Sequence, residues 1–134
     1  MNQPIVVAAG LVFWQGKLLI TQRPPGGHLP GLWEFPGGKC EPGETLPECL
    51  QRELQEELGI AVNVREEVET VTHAYPEKTV ELHFFRCQLV IGEPTGMEGQ
   101  ALAWVTTANL GDYEFPAADA QLLERLRTEA DWWK

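Results

Sequence analysis

The 134-residue sequence lacks the features that define several specialised classes of protein. It has only three cysteines (Cys40, Cys49 and Cys87), and none of them has CxxC spacing, so we expect neither a disulfide framework nor a zinc site. A reducing cytoplasm is the compartment that this cysteine usage favours. No apolar run approaches the roughly 20 residues that span a bilayer, and residues 1–14 lack the basic start of a signal peptide.

Positive charge is also scarce, because ten Lys and Arg residues face twenty Asp and Glu residues, for a net charge of -10. Such a chain repels nucleic-acid polymers and anionic membranes, and we expect neither as a partner. If the substrate is anionic, a positive group must offset its repulsion by the protein, and a bound metal cation would do so. The length and the hydrophobic content of 43% predict one compact domain over residues 1–134.

The order of elements predicts strands, a helix, more strands and a final helix, which is an α+β fold layered as an α/β/α sandwich. The best defined element is a helix over 46–58, with a capping box at Thr45 and Glu48 and a stop at Gly59. Residues 23–32 hold three prolines and three glycines and predict a binding loop. Strands are expected at 5–13, 17–22, 62–73, 80–90 and 103–105, and the last helix at 118–132.

Glu53, Glu56 and Glu57 stand at positions i, i+3 and i+4 of the first helix, within a sector of roughly 100°. One interpretation is a solvated acidic face, which is common on surface helices. The other is a site for a hard divalent cation such as Mg²⁺ or Mn²⁺, which takes oxygen ligands and bridges to phosphates. Arg52 has two interpretations as well, an exposed pair with Glu56 or a buried brace that holds the carboxylates in position.

The surrounding residues read G-x5-E-x7-R-E-L-x-E-E-x-G-I from Gly38 to Ile60, and this pattern resembles the Nudix box. The resemblance implies a hydrolase that cleaves a nucleoside diphosphate linked to another group, with a mixed sheet between helices. It also implies a divalent cofactor, Mg²⁺ with Mn²⁺ as a substitute. The implied catalytic and metal-binding residues are Gly37 or Gly38 through a carbonyl, Arg52 as brace, Glu44 behind it, and Glu53, Glu56 and Glu57, with Glu53 as general base.

Outside the box, the chain resembles the MutT subgroup of this family at 20–23, 34–39, 92–94, 98–100 and 115–118. The subgroup hydrolyses nucleoside triphosphates to a monophosphate and pyrophosphate, and it removes 8-oxo-dGTP from the precursor pool of DNA replication. Glu98 would then be a further metal ligand or base. The implied substrate-binding residues are Arg23, His28, Glu34, Phe35, Pro36 and Gly37. Their plainer interpretations are a surface cation for Arg23, a loop residue for His28, core for Phe35 and a solvated acid for Glu98.

Asp119 departs from the best-known MutT pattern, which has asparagine at this position. Asparagine both donates and accepts hydrogen bonds, whereas ionised aspartate only accepts and would favour an exocyclic amine. The MutT resemblance makes an oxidised purine such as 8-oxo-dGTP the first expected substrate, and the aspartate makes CTP or a modified dCTP the second. Asp119 could instead cap the last helix, or act as a protonated group with the pattern of asparagine.

Two other classes of function stay open at this point. A non-catalytic Nudix-like module would bind nucleotides without cleaving them, although such modules tend to lose the box glutamates that this chain keeps. Another Nudix hydrolase would act on a dinucleoside polyphosphate or a nucleotide sugar. We expect a monomer or a weak dimer.

Overall fold

The computed structural model describes residues 3–24 and 30–134. The helices are α1 (Leu46–Leu58) and α2 (Ala120–Thr128), and short 3-10 turns lie at Leu110–Asp112, Ala117–Asp119 and Ala130–Trp133. The strands are β1 (Ile5–Trp14), β2 (Lys17–Gln22), β3 (Trp33–Glu34), β4 (Gly37–Lys39), β5 (Ala61–Ala74), β6 (Thr79–Ile91) and β7 (Leu102–Val105).

The strands form one mixed sheet in the order β3-β2-β1-β6-β5, with β4 paired to β1 and β7 paired to β2. Strands β1 and β6 are parallel, whereas β1 and β4 are antiparallel. The mixed sheet with helices confirms the expected fold class. Among the described residues, no helix is both long and apolar enough to cross a membrane.

The helices cover opposite faces of the sheet. Leu50, Leu54 and Leu58 of α1 pack into one hydrophobic core, and Leu122 and Leu126 of α2 pack into the other. Neighbouring side chains of β6 point to different cores, because alternate residues of a strand face opposite sides. The sheet thus lies between two layers, as the α/β/α sandwich requires.

The last helix is shorter than the expected 118–132. The chain leaves the α-helical conformation after Thr128, and a 3-10 turn then carries Trp132 and Trp133 back into the core beside α2. The indole Nε1 of Trp133 donates to the carbonyl of Leu126 at 2.8 Å. The buried indoles therefore fix the end of the chain in a turn rather than in a longer helix.

The expectation about cysteine was wrong for one pair. Cys40 follows β4, Cys49 lies in the first turns of α1, and the two form a disulfide with their Cα atoms 5.2 Å apart. Cys87 is free and buried in β6, and burial raises the pKa of its thiol to about 12. The paired cysteines lie nine positions apart in the sequence, and their bond links the end of the glycine-rich strand to the carboxylate helix.

Candidate active site

Helix α1 starts and ends as local sequence signals dictate. The Thr45 side chain accepts from the Glu48 backbone N–H at 3.2 Å, and the Glu48 carboxylate accepts from the Thr45 N–H at 2.9 Å. Gly59 ends the helix with φ of 70°, a left-handed conformation that suits glycine. These caps fix the rotation of the helix, and therefore the direction of its glutamates.

Arg52 joins the helix to the segment before it. Its Nε and one terminal nitrogen donate to the two oxygens of Glu44 at 2.7 and 2.9 Å, a bidentate pair. The same guanidinium donates to Glu53 at 3.0 Å, to Glu56 at 3.3 Å and to the Lys39 carbonyl at 3.1 Å. Hydrogen bonds from Arg52 hold the pKa of Glu44 near 2. Arg52 therefore makes both kinds of contact that the sequence suggested, the pair with Glu56 and the brace that holds the carboxylates in position.

Gly37 and Gly38 lie in strand β4. Neither has a positive φ. They are needed for close approach: a Cβ on Gly37 would overlap the Ala8 backbone, and one on Gly38 would overlap the Glu53 carboxylate. The glycine pair thus lets β4 lie directly against both β1 and α1.

The register of β4 distinguishes between the two glycine carbonyls. Gly10 N–H donates to the Pro36 carbonyl and Cys40 N–H donates to the Val6 carbonyl. Hydrogen-bonded pairs alternate along an antiparallel ladder, so Gly38 pairs with β1 and Gly37 points away from it. The Gly37 N–H donates to the Glu57 carboxylate. Gly37 therefore has the outward carbonyl that could bind a metal ion.

Among the carboxylates, Glu57 has the pKa that its surroundings raise most. Partial burial, followed by repulsion from Glu53, Glu34 and Glu98, raises its pKa to about 8, against a small lowering by the Gly37 N–H. Glu53, on the same helix, receives the hydrogen bond from Arg52. Three chain segments therefore bring carboxylates toward Glu57: α1, β3 and the loop that carries Glu98. Glu56 lies apart, with its side chain 60% exposed and directed at Arg52.

The donor chemistry of this cluster fits a hard divalent cation. Carboxylate oxygens and a backbone carbonyl are the ligands that Mg²⁺ and Mn²⁺ prefer, and a cation would relieve the repulsion that raises the pKa of Glu57. Within the described ranges, however, no three His, Cys, Asp or Glu side chains already stand close enough together to hold one ion. Ion binding therefore requires these side chains to converge further.

A cavity of about 260 Å³ opens beside the carboxylates, between β1, β6 and the 117–119 turn. Its walls are mostly apolar, with Val80, Leu82 and Phe84 of β6 on one side. Glu34 lines this cavity and also the smaller acidic pocket that contains Glu57 and Glu98. Arg23 lies at the same place, with its Nε 3.3 Å from Glu34. An apolar chamber and an acidic groove thus meet at Glu34.

Asp119 points into the apolar chamber from the far side. It occupies the N-cap position of α2, but its side chain makes no capping hydrogen bond, so the capping interpretation was wrong. The residue is 7% exposed, and burial raises its pKa to about 6, with Arg23 lowering it and Glu34 raising it. Burial likewise raises the pKa of Glu34, against the opposing effect of Arg23.

The remaining predicted residues occupy different places. Phe35 lines the chamber but is 6% exposed, stacked on Phe115 and in edge contact with Phe84, so it belongs to the core as well. Pro36 is buried and is not among the residues that line the chamber. His28 falls outside the described residues.

One wall of the chamber was not predicted from the sequence. His73, Tyr75 and Lys78, from the β5–β6 hairpin, line it opposite β1. The ring centroids of His73 and Tyr75 are 4.3 Å apart. The only local signal was a turn at Tyr75 and Pro76, which says nothing about where the hairpin packs.

A glycine-rich strand, a capped carboxylate helix and an adjoining chamber together indicate the class of protein, a hydrolase. A model of the NUDIX domain matches residues 8–125. The chain therefore belongs to the Nudix family and is a Nudix hydrolase, as its box indicated.

Named relatives cover nearly the whole chain. It is 41% identical to an 8-oxo-dGTP diphosphatase of Haemophilus influenzae, with 96% of each chain aligned. It is 38% identical to a CTP pyrophosphohydrolase of Escherichia coli, with 90% of this chain and 89% of the relative covered. The MutT protein from Methanosarcina mazei has a similar solved structure, with a TM-score of 0.82, 28% identity and coverage of 96% and 97%.

Proposed function

We propose that the protein hydrolyses nucleoside triphosphates to the monophosphate and pyrophosphate, with Mg²⁺ as its ion and Mn²⁺ as a substitute. The observation that carries this proposal is the junction at Glu34, where an acidic groove meets an apolar chamber. A triphosphate needs cation-binding carboxylates for its charge, and its base needs a largely apolar pocket. Residues 1–134 would form this one catalytic domain.

The proposed metal ligands are Glu53, Glu56, Glu57 and Glu98, with the Gly37 carbonyl. A bound divalent ion would stabilise charge on the phosphate oxygens and lower the pKa of water. Because Glu56 is directed at Arg52, it would have to turn away from that guanidinium to bind an ion.

Glu53 is our proposed general base. Its carboxylate lies against Gly38 and is held by Arg52, so it is fixed in position near Glu57. A base within hydrogen-bond reach of the attacking water would take its proton as the oxygen attacks phosphorus at the α–β bridge. Glu98, near Glu57, is the second candidate for this role.

The proposed substrate-binding residues are Arg23, His28, Glu34, Phe35 and the segment at Pro36–Gly37. Arg23 can pair with the α-phosphate because a guanidinium presents a planar fork of donors. Glu34, beside Arg23, can accept a hydrogen bond from the sugar or base. Pro36 would act by positioning Gly37, since its own carbonyl is bound by Gly10.

Two kinds of substrate are our candidates, and we propose that Asp119 discriminates between them. Our first choice is 8-oxo-dGTP, which would make the enzyme one that cleans the nucleotide pool. The second is CTP or a modified dCTP, because an ionised Asp119 can accept from an exocyclic amine but cannot donate to a ring oxygen. The two relatives bear names of both kinds.

The test is pyrophosphate release from a panel of 8-oxo-dGTP, dGTP, CTP, dCTP and ATP, with Mg²⁺ and with chelator. We expect metal-dependent release from 8-oxo-dGTP or CTP in preference to the other nucleotides, and a loss of at least a hundredfold in kcat for Glu53→Gln. An exposed glutamate on α2 provides the control, since Glu124→Gln should leave kcat unchanged. Binding without release from any nucleotide would favour a non-catalytic module. Release only from dinucleoside polyphosphates or nucleotide sugars would replace the proposed substrate.

A further inference from the structure

A second cavity, of about 440 Å³, lies away from the carboxylates. Its walls include the end of β1, part of β5 and the turn Ala130–Trp133. Gly37 pairs with Ala9 of β1, and strands advance about 3.4 Å per residue, so Trp14 lies roughly 17 Å along β1 from that pair. None of the residues proposed above for catalysis or substrate binding lines this cavity.

The cavity contains cationic side chains in an acidic protein. Arg65, Arg86 and Lys134 line it together with Glu66. Arg86 pairs with Glu66 at 2.7 Å, and Lys134 pairs with Asp131 at 3.1 Å. Arg65 has no acidic side chain within ion-pair distance in the described part of the chain, so its charge favours an anionic ligand over a cationic one.

Arg65 and Arg86 keep donors available. A guanidinium carries five N–H groups; one nitrogen of Arg65 donates to Gln88 at 2.7 Å, and one nitrogen of Arg86 donates to Glu66 at 2.7 Å. The terminal N–H groups that remain on the two arginines can donate to the oxygen atoms of a bound molecule.

Aromatic rings form the rest of the wall. Phe13 and Trp133 are in edge contact, with ring centroids 5.3 Å apart, and Trp132 lies next to them in the chain. Trp14, which also lines the cavity, is 47% exposed although it is a large aromatic residue. Phe13, Trp132 and Trp133 are only 6–7% exposed, so the open face on which a flat ring can pack is that of Trp14.

We infer that this cavity binds a nucleoside monophosphate, with its phosphate on Arg65 and Arg86 and its base against Trp14. Phosphate matches the planar fork of arginine, and pockets of roughly 300–1,000 Å³ hold ligands of this size. The choice of ligand rests on the proposed function, whose reaction releases such a monophosphate. The arginines and the aromatic wall are independent of it.

Binding is measured by titrating dGMP or CMP into the protein with chelator present and following the indole N–H signals of its five tryptophans by NMR. We expect the signals of Trp14, Trp132 and Trp133 to shift more than that of Trp33, which packs on Tyr113 beside the first site. Arg65→Gln and Arg86→Gln should each weaken binding by about tenfold or more, as expected for a charge-assisted hydrogen bond. Arg127→Gln, which removes an exposed arginine outside the cavity, is the matched control and should leave binding unchanged.

Inorganic phosphate and the free nucleoside complete the titration, and each should bind more weakly than the monophosphate. Equal affinity for either fragment would overturn the assignment of a two-part ligand. Shifts confined to Trp33, affinities that neither arginine variant changes, or no binding at millimolar monophosphate would overturn the site. If Arg86→Gln fails to fold, Arg65→Gln decides alone. Pyrophosphate release by Arg65→Gln should match that of the unaltered protein, so failure of the proposed reaction and failure of this site are separate results.

Discussion

Replacing Glu57 with glutamine should stabilise the metal-free protein while removing its stabilisation by metal. Glu57 carries a pKa raised from 4.5 to about 8, first by burial and then by repulsion from Glu53, Glu34 and Glu98. The folded state therefore holds a proton that the unfolded state has released above pH 4.5. This contribution to stability is fully present below pH 4.5 and is lost as the pH rises toward 8 and beyond.

The magnitude follows from the shift. Taken whole, a shift from 4.5 to about 8 amounts to about 5 kcal/mol once Glu57 is ionised in both states. Solvent screens a side chain that is only partly buried, so we expect about 1–3 kcal/mol. For a domain of this length, that range raises the melting temperature by about 3–10 °C. Glu57→Gln should gain this amount at pH 9 and almost nothing at pH 4.

The assay is thermal unfolding of the unaltered protein, Glu57→Gln and the control Glu124→Gln, each with chelator and with Mg²⁺ or Mn²⁺. A ligand that binds only the folded state stabilises it in proportion to the logarithm of its concentration. Metal should therefore raise the melting temperature of the unaltered protein and of the control, but much less that of Glu57→Gln. A Glu57→Gln protein that is less stable than the unaltered one in chelator at pH 9 would refute the argument from repulsion. Equal metal stabilisation in both would remove Glu57 from the proposed ligands.

Three further predictions concern specificity, positioning and the disulfide. Asp119→Asn should raise kcat/KM for 8-oxo-dGTP relative to CTP by about tenfold. In the unaltered enzyme the same ratio should rise as the pH falls through about 6, because a protonated Asp119 can donate a hydrogen bond. If neither change affects the ratio, Asp119 does not contact the base. Arg52→Lys keeps the charge but loses the bidentate contact with Glu44. We therefore expect kcat to fall at least tenfold while the circular dichroism spectrum stays the same. An unchanged kcat would mean that Arg52 only forms a surface ion pair. Reduction of the Cys40–Cys49 bond should lower the free energy of unfolding by about 2–3 kcal/mol in urea titrations, as the loop length implies, and a Cys87→Ala protein should respond to reductant in the same way.

Local signals predicted the elements that local chemistry determines. Helix α1 has the expected bounds because its capping box and its terminal Gly59 act within a few residues of each end. The final helix was predicted four residues too long at its end because Trp132 and Trp133 are placed by packing against a distant part of the core. Their spacing resembles that of a helix, and nothing local marks the change to a 3-10 turn.

The same distinction applies to the candidate site. The proximity of Glu53 to Glu57 was predictable because a four-residue spacing places two side chains on one face of a helix. The strand at Gly37–Gly38 was not predicted, because it depends on how closely β1 and α1 approach the two glycines. The wall formed by the β5–β6 hairpin depends on long-range packing, which a single sequence does not reveal.

If the proposed ligands are correct, the contacts around α1 hold the metal-binding carboxylates in place before an ion binds. Carboxylates that repel one another move apart unless the backbone holds them, and a metal site gains affinity when its ligands need little reorganisation. The capping box fixes the rotation of the helix, Arg52 ties it to Glu44 and Lys39, and the disulfide anchors its first turns to the end of β4. The repulsion at Glu57 then destabilises the metal-free protein, and cation binding relieves this repulsion. Loosening any of these restraints should therefore weaken metal affinity more than it weakens the fold.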